Sequence, residues 1–417
     1  MELNCLRGFK DVILTDAKKF NYIIDLIGKV AETYNYQKSY FPILEESSVY
    51  QRTLGEASDI VNKEMYNFTD KGENKVTLRP EFTAGIVRSL ISNKLYHELP
   101  LKFFTYGPLF RYERPQKARQ RQFNQVNFEF FGNDTYYAEL ELIMLIEQII
   151  KKLNIQNKVT LEINSLGSND ARLKYKNELV NYYLRYENDL SEDSKHRLKT
   201  NPLRILDSKD IKDQEINQDA PLLEDYFTSF DQKFFSSLLE ELTKQNISYK
   251  LNNKLVRGLD YYAHTVFEYS TALLGAQNAV FAGGRYDNLI ENMGGRATPA
   301  VGFAGGVERM FELIEMNEQN IINIIVLPLS DAEKSSAFSL LNLLRQNDIK
   351  ADIIFSGGNL TKKLKKAAKF KPDFVAILGE NEVATKQVLL RNFKSGKEVL
   401  CEFANLAADF FAFKEKF

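Results

Sequence analysis

Leu255-Val-Arg-Gly-Leu-Asp-Tyr-Tyr262, followed by Thr265-Val-Phe-Glu268, combines a guanidinium, a carboxylate and two phenols just before a β-branched and aromatic run that predicts a strand. Arg257 supplies fixed donors, Asp260 supplies an acceptor, and the tyrosines supply two flat apolar walls that carry hydroxyls. Few apolar cores use this mixture, so the stretch indicates a polar pocket. Taken alone, an arginine near two tyrosines is also typical of a satisfied surface network.

A second segment predicts two strands joined by a basic loop: Phe110-Arg-Tyr-Glu-Arg-Pro-Gln-Lys-Ala-Arg-Gln-Arg-Gln-Phe-Asn-Gln-Val-Asn-Phe-Glu-Phe-Phe-Gly132. Residues two apart on a strand share a face. One face of the second strand therefore carries Phe123, Gln125, Asn127 and Glu129, and the other carries Val126, Phe128 and Phe130. A polar row backed by an apolar row is consistent with a pocket wall, and also with a solvent-facing antiparallel sheet.

These segments resemble the histidyl-tRNA synthetases of the bacterial type, a family of class II aminoacyl-tRNA synthetases. Leu255–Tyr262 resembles the histidine-specific signature of that family, Phe110–Phe131 resembles class II motif 2, and Ala300–Met310 resembles motif 3. The resemblance runs nearly from end to end. It implies the ATP-dependent attachment of L-histidine to tRNA(His) through a histidyl-adenylate, with release of pyrophosphate and AMP.

The resemblance also implies the domain organisation. We expect an α+β catalytic domain at 1–322, in which helices flank an antiparallel sheet, with a helical insertion at about 165–250. A C-terminal α/β anticodon-binding domain is expected at 323–417. Within that last region the residues themselves alternate between strand and helix patterns, which predicts right-handed crossovers and a mostly parallel sheet.

The family pattern assigns roles to individual residues. The catalytic role falls to Arg257 and Arg111, which would hold the α-phosphate from two sides. Histidine would be bound by Glu81, Phe82, Thr83, Arg111, Gln125, Glu129, Arg257, Tyr261 and Tyr262. ATP would be bound by Arg111, Glu113, Arg121, Phe123 and Arg309.

Within that set, Glu129 would accept a hydrogen bond from the ring N–H of histidine, and Tyr261 or Tyr262 would satisfy the other ring nitrogen. Glu81 and Gln125, helped by Thr83, would hold the α-amino group. Glu81 lies where a strand meets a helix start, so it is equally well placed to cap that helix. Phe82 departs from the residue that the family pattern favours at its position.

Two further patterns make testable predictions. Thr15 or Asp16 is predicted to cap a helix whose apolar face is Phe20, Ile23, Ile24, Ile27, Val30, Ala31 and Tyr34. By resemblance, this helix and Phe41–Leu44 form class II motif 1, which builds a homodimer. Near the C-terminus a predicted helix concentrates positive charge in Lys362, Lys363, Lys365, Lys366 and Lys369, as either a solvated face or an RNA contact.

Composition narrows the remaining choices. The chain has 417 residues and a net charge of −1, so any RNA contact must come from local patches. Three histidines and two scattered cysteines, Cys5 and Cys401, predict neither a zinc site nor a disulfide framework, and Mg²⁺ is expected only with ATP. We see no signal peptide and no apolar run of ~20 residues, which predicts a cytoplasmic protein without a membrane span.

Two other readings stay open on the sequence alone. One is a catalytically silent regulatory relative, like the synthetase-like subunit of ATP phosphoribosyltransferase; such relatives typically lack the anticodon-binding domain and a complete histidine signature. The other is a ligase for another amino acid, such as proline or threonine, which conflicts with the Arg257–Tyr262 segment.

Overall fold

The computed structural model describes residues 3–54, 60–206, 208–256, 261–275, 278–315, 324–355 and 357–406. The chain divides into two compact units, Met1–Glu315 and Met316–Phe417. The domain boundary predicted between 322 and 323 falls outside the described residues and stays a prediction.

The first unit is built around a large sheet with helices on both faces. Its strands are β1 (Gln37–Lys38), β2 (Leu44–Glu46), β3 (Tyr66–Thr69), β4 (Lys75–Leu78), β5 (Leu101–Phe110), β6 (Gln122–Phe131), β7 (Thr160–Ser165), β8 (Tyr249–Leu251), β9 (Ala263–Ser270), β10 (Ala279–Arg285) and β11 (Ala300–Gly306). Its helices are α1 (Leu14–Thr33), α2 (Ser47–Leu54), α3 (Thr83–Ser92), α4 (Tyr137–Leu153), α5 (Asn169–Leu184), α6 (Glu192–Thr200), α7 (Ile211–Ile216), α8 (Ser229–Lys244), α9 (Leu289–Asn292) and α10 (Val307–Leu313).

In the described residues, eight strands form the large sheet in the order β1-β5-β6-β11-β10-β9-β7-β8. The pairings are antiparallel except at the two edges, where β1 runs parallel to β5 and β8 runs parallel to β7. The α+β class predicted from the sequence is therefore confirmed. A smaller sheet, β2-β4-β3, leads into α3.

The two faces of the large sheet have separate apolar cores, because alternate residues of each strand point to opposite sides. Val126, Phe128 and Phe130 of β6 pack in the core with α1, α4 and α10. The other core includes α3 and α5 as well as Tyr261 and Tyr262. The polar residues of β6 therefore share the second face with those tyrosines.

Helix α1 confirms the predicted apolar face but not the predicted cap. Ile23, Ile24, Ile27, Val30 and Ala31 are all buried. The helix begins at Leu14, and the residue before it, Ile13, gives no side-chain cap. Asp16 instead lies inside the first turn and accepts a hydrogen bond from Lys10 Nζ at 2.8 Å. A carboxylate in the first turn still interacts favourably with the helix dipole.

The second unit contains a five-stranded sheet within the residues that the structure describes. Its elements are β12 (Ile324–Pro328), α11 (Lys334–Gln346), β13 (Ala351–Ile353), α12 (Leu360–Ala367), β14 (Phe374–Leu378), α13 (Glu380–Thr385), β15 (Gln387–Asn392) and β16 (Glu398–Glu402). The order is β13-β12-β14-β15-β16. Strands β13, β12 and β14 pair in parallel, whereas β14 with β15 and β15 with β16 pair antiparallel, so the sheet is mixed and the prediction of a mostly parallel sheet was wrong. The short helix α13 joins β14 to β15, and a tight turn joins β15 to β16.

Helix α12 carries four of the predicted lysines and Lys369 follows it, and the five do not share one environment. Lys362, Lys365, Lys366 and Lys369 are exposed. Lys363 is only 5% exposed, and its ammonium donates to the main-chain carbonyls of Pro328 at 2.5 Å and Leu329 at 2.9 Å. One of the five charges therefore closes the end of β12 and does not join the solvated face.

Candidate functional site

A cavity of about 250 Å³ opens on the face of the large sheet that carries α3. Its lining includes ten of the residues predicted from the sequence, namely Glu81, Phe82, Thr83, Arg111, Glu113, Phe123, Gln125, Tyr261, Tyr262 and Arg309. These come from five separate segments of the chain. The fold therefore brings the motif 2 and motif 3 segments and the end of the Leu255–Tyr262 stretch to one place.

The floor of the cavity has room for a buried side chain because small residues of β11 lie beside β6. Glu129 pairs across the sheet with Gly302, and Asn127 pairs with Ala304. A Cβ atom on Gly302 would overlap Glu129 Oε2. The missing side chain at 302 therefore makes room for the carboxylate against the floor.

Glu129 is fully buried just behind this lining and is held by hydroxyl groups. Its Oε1 accepts from the Thr83 hydroxyl at 2.6 Å, and its Oε2 accepts from the Tyr286 hydroxyl. Burial raises the pKa of Glu129 to about 7, although the hydrogen bonds from Thr83, Tyr286 and Asn127 act in the opposite direction. We call Glu129, Thr83 and Tyr286 the hydroxyl end of the cavity.

Glu81 lies beside the hydroxyl end, where it both lines the cavity and caps α3. It lines the cavity, and its two oxygens accept from the backbone N–H groups of Thr83 at 2.5 Å and Ala84 at 2.8 Å. Burial raises the pKa of Glu81, and these backbone hydrogen bonds oppose the rise. The carboxylate therefore fixes the start of α3, while its remaining lone pairs stay available to the cavity.

Tyr286 is a site residue that the sequence analysis did not single out. The rings of Tyr261 and Tyr262 lie 4.7 Å apart, and Tyr286 contacts Tyr261 at 5.6 Å between ring centroids. Tyr286 belongs to the stretch Ala282-Gly-Gly-Arg-Tyr-Asp287. The available signal was a phenol directly after β10, the second strand that follows the Leu255–Tyr262 segment.

Guanidinium groups also line the cavity. Arg111 Nε donates to Pro80 O at 2.9 Å, and Arg119 forms an ion pair with Glu113. Arg119 is 26% exposed and Glu113 9%. Burial acts to raise the pKa of Glu113, but the hydrogen bond from Arg119 and the charge of Arg111 outweigh it, and the net shift is downward. We call Arg111, Glu113 and Arg119 the guanidinium end.

Glu64 adds a second carboxyl group at the guanidinium end. Burial, followed by repulsion from Glu113, raises the pKa of Glu64 to about 7. Its main-chain carbonyl accepts from Tyr112 N at 2.7 Å, which ties the segment before β3 to the strand end that carries Arg111. Neither Glu64 nor Arg119 was predicted from the sequence.

Two predicted cations have different surroundings from each other. Arg309, from the first turn of α10, lines the cavity and donates from Nη1 to Ala279 O at 2.5 Å. Arg121 is not part of the lining; its guanidinium lies 3.8 Å from the ring centroid of Tyr112, and its Nε donates to Glu113 O at 3.2 Å. Of these two neighbouring arginines, Arg119 lines the cavity and Arg121 does not.

Arg257, the other predicted catalytic residue, lies outside the described residues, as does Asp260. Among the residues that the structure does describe, no group of three or more His, Cys, Asp and Glu side chains could hold a metal ion. None of the described helices has both the length and the apolar composition needed to cross a membrane.

Comparisons with known proteins agree with this arrangement. The sequence matches the family described as "Histidyl-tRNA synthetase" over residues 8–173 and 188–310, and the family described as "Anticodon binding domain" over residues 323–410. The histidine–tRNA ligase of Wolbachia pipientis wMel is 48% identical over 393 residues, covering 94% of this chain and 96% of that protein.

Solved structures extend the likeness to the fold. The apo histidyl-tRNA synthetase of S. aureus superposes with a TM-score of 0.82 at 29% identity, covering 98% of this chain and all of that one. An ATP phosphoribosyltransferase regulatory subunit/histidyl-tRNA synthetase from Bacillus halodurans has a TM-score of 0.66 at 20% identity, over 90% of this chain and 98% of its own, and shares the fold. The chain belongs to the histidyl-tRNA synthetase family of class II aminoacyl-tRNA synthetases.

Proposed function

We propose that this chain attaches L-histidine to tRNA(His) in two steps. The carboxylate of histidine attacks the α-phosphate of ATP, which forms histidyl-adenylate and releases pyrophosphate. The 3′-terminal adenosine of the tRNA then accepts the histidyl group and AMP leaves. The observation that carries the proposal is one cavity that brings together a buried, hydroxyl-held carboxylate and guanidinium groups.

Histidine recognition is assigned to the hydroxyl end. A neutral imidazole has one N–H donor and one acceptor nitrogen. Both oxygens of Glu129 already accept from hydroxyls, but each keeps a second lone pair for the ring N–H. Tyr261 or Tyr262 would donate to the other nitrogen, and Glu81, Gln125 and Thr83 would hold the α-amino group beside Phe82. An amino acid without ring nitrogens would leave these buried groups unpaired.

ATP binding is assigned to the guanidinium end and the floor near α10. Negative charge develops on the α-phosphate during adenylate formation, and fixed cations stabilise it, typically by ~3–4 kcal/mol for one donor. Arg111 would act on the α-phosphate and Arg257 from its other side. Glu113, Arg121 and Phe123 would contact the nucleotide, and the planar guanidinium of Arg309 would stack on adenine. ATP enters as its Mg²⁺ complex, and zinc has no role.

The other assignments rest on family membership. The catalytic domain would span 1–322, and the unit at 323–417, which matches an anticodon-binding domain, would bind the tRNA. The exposed lysines of α12 suit a phosphate backbone. Exposed apolar residues at the N-terminal segment and β2, such as Leu14, Ile43 and Leu44, support a homodimer built by motif 1. We place the enzyme in the cytoplasm.

Pyrophosphate exchange tests the proposal directly. The purified chain should exchange labelled pyrophosphate into ATP only when histidine is present, and should charge tRNA(His) with histidine. Exchange dependent on proline or threonine would assign a different ligase. No exchange with any amino acid, from protein that melts cooperatively, would overturn the enzymatic assignment and favour a regulatory relative.

A further inference from the structure

Glu308 lines the cavity, but the proposed mechanism gives it no role. It lies in the first turn of α10, and its carboxylate accepts hydrogen bonds from Asn124 of β6. The backbone N–H of Asn124 donates to Oε1 at 2.9 Å and to Oε2 at 3.0 Å, and Asn124 Nδ2 donates to Oε1 at 3.0 Å. Because one carboxylate accepts from both the main chain and the side chain of Asn124, the two residues are held in a defined position relative to each other.

The end of β11 explains why β6 needs this carboxylate. Strand β11 pairs with β6 as far as Gly306, which lies opposite Gln125. The chain then turns into α10 at Val307, so β11 ends before it reaches the level of Asn124. Glu308 takes the backbone N–H of Asn124 in place of a strand carbonyl, which avoids the cost of leaving that group unpaired. The carboxylate therefore joins the start of α10 to β6 where the sheet pairing stops.

The residues next to this contact in the sequence both line the cavity. Phe123 comes directly before Asn124, and Arg309 comes directly after Glu308. The stem of Arg309 lies over Gly306, since a Cβ atom there would meet Arg309 Cδ at 3.2 Å. The hydrogen bonds between Asn124 and Glu308 therefore fix the separation of the two backbone segments that carry Phe123 and Arg309.

We propose that Glu308 is a positioning residue for the nucleotide base, because its hold on Asn124 sets the spacing of the two side chains that contact the base. This inference rests on the proposed function, in which Arg309 stacks on adenine and Phe123 contacts the nucleotide. Dispersion and cation–π contacts to a flat base weaken steeply when the separation changes by a fraction of an ångström. Glu308 therefore acts on the base through its neighbours and not on the phosphates.

The test uses two fragments of ATP that separate the base from the phosphates. Adenosine has the base without phosphates, and inorganic tripolyphosphate has the phosphates without the base. Their inhibition constants against ATP are measured in histidyl-tRNA formation for the full-length wild type, Glu308→Ala and Glu308→Gln. We expect Glu308→Ala to weaken adenosine about 10-fold while tripolyphosphate and the KM for histidine change less than about twofold. Glu308→Gln keeps one oxygen acceptor for Asn124, so its loss for adenosine should be smaller, about threefold.

A matched control is Glu162→Ala. Glu162 on β7 also accepts from an asparagine of a neighbouring segment, Asn252 Nδ2 at 2.6 Å, but it is not part of the cavity lining. This variant should leave both inhibition constants unchanged. If Glu308→Ala does not melt cooperatively, Glu308→Gln carries the comparison.

The outcomes separate this inference from the proposed function. Equal weakening of adenosine and tripolyphosphate in the Glu308 variants would mean that Glu308 supports the cavity as a whole, and would overturn the inference. A larger loss for tripolyphosphate would place Glu308 at the phosphates or their Mg²⁺ and would overturn it too, as would unchanged constants. Wild type without histidine-dependent pyrophosphate exchange would instead refute the proposed function.

Discussion

The hydroxyl end and the guanidinium end of the cavity stabilise their charged side chains in different ways. Glu129 is fully buried, and it is held by neutral hydroxyls from α3 and from the segment after β10. Arg119 is partly exposed, and it is held by the opposite charge of Glu113 on the same loop. Hydroxyl donors from rigid elements fix one geometry, whereas an ion pair within a loop can exchange partners. The first arrangement suits discrimination, and the second suits a highly charged nucleotide that enters and leaves.

Of the substitutions that test this difference, the replacement of Glu129 should have the largest effect. Glu129→Gln keeps an acceptor for one hydroxyl but removes the charge, and we expect the KM for histidine to rise about 100-fold or more with little change in the KM for ATP. Glu129→Ala should raise the KM for histidine further. Pyrophosphate exchange with each substrate varied in turn measures both values. Equal losses for histidine and ATP would show that the two ends do not act separately.

Gly302→Ala tests the same end, because Gly302 lies beside Glu129 in the floor of the cavity. The added Cβ would overlap Glu129 Oε2, so the carboxylate must move away from the Tyr286 hydroxyl. We expect histidine affinity to fall about 10- to 100-fold. Gly306→Ala is the matched control, since its Cβ would meet only the flexible side chain of Arg309, at 3.2 Å. Similar histidine affinities in the two variants would contradict the role given to the floor.

At the guanidinium end, Arg119→Ala should raise the KM for ATP about 10-fold and leave histidine binding nearly unchanged. Arg121→Ala should have a smaller effect, because that guanidinium is stacked on Tyr112 outside the lining. The effect of Arg119→Ala should shrink at high salt, since partly exposed charges are screened. A larger loss from Arg121→Ala would support the assignment made from the sequence instead.

The smallest expected effect is a pH dependence of stability. Because the pKa of Glu129 is raised from 4.5 to about 7, the folded state binds a proton that the unfolded state has released. This group therefore contributes stability at low pH that is lost as pH rises from about 4.5 to 7. Glu129→Gln should gain stability relative to wild type between pH 6 and pH 8, on the order of 1 kcal/mol. Denaturant unfolding at both pH values measures it, and a difference independent of pH would contradict the shift.

Periodicity predicted the parts of this molecule that depend on regular backbone. The face of α1 and the alternation along β6 follow from 3.6- and 2-residue repeats, so the sequence alone places Gln125 and Glu129 on one side of their strand. The same repeats do not give the order in which the strands pair within each sheet. The antiparallel pairings of β14 with β15 and of β15 with β16 make the second sheet mixed, and strand patterns do not reveal the direction of pairing.

Side-chain partners in irregular segments were the least predictable part of the site. The loop between β5 and β6 has several cations, and only its folded path decides that Arg119, not Arg121, lines the cavity. Glu64 and Tyr286 are distant in sequence from the groups they contact. The cap predicted for α1 failed because an acidic residue inside the first turn satisfies the same electrostatic preference.

The buried ammonium of Lys363 has a consequence for nucleic-acid affinity. Proteins that neutralise phosphates displace condensed counterions, and the logarithm of the binding constant falls with that of salt concentration by roughly 0.7 to 0.9 per phosphate neutralised. Lys363 is already engaged by two carbonyls at the end of β12, so it adds nothing to this slope. Its substitution should weaken the second unit itself, whereas the exposed Lys362, Lys365, Lys366 and Lys369 would, under the proposed tRNA binding, set how steeply RNA is released by salt.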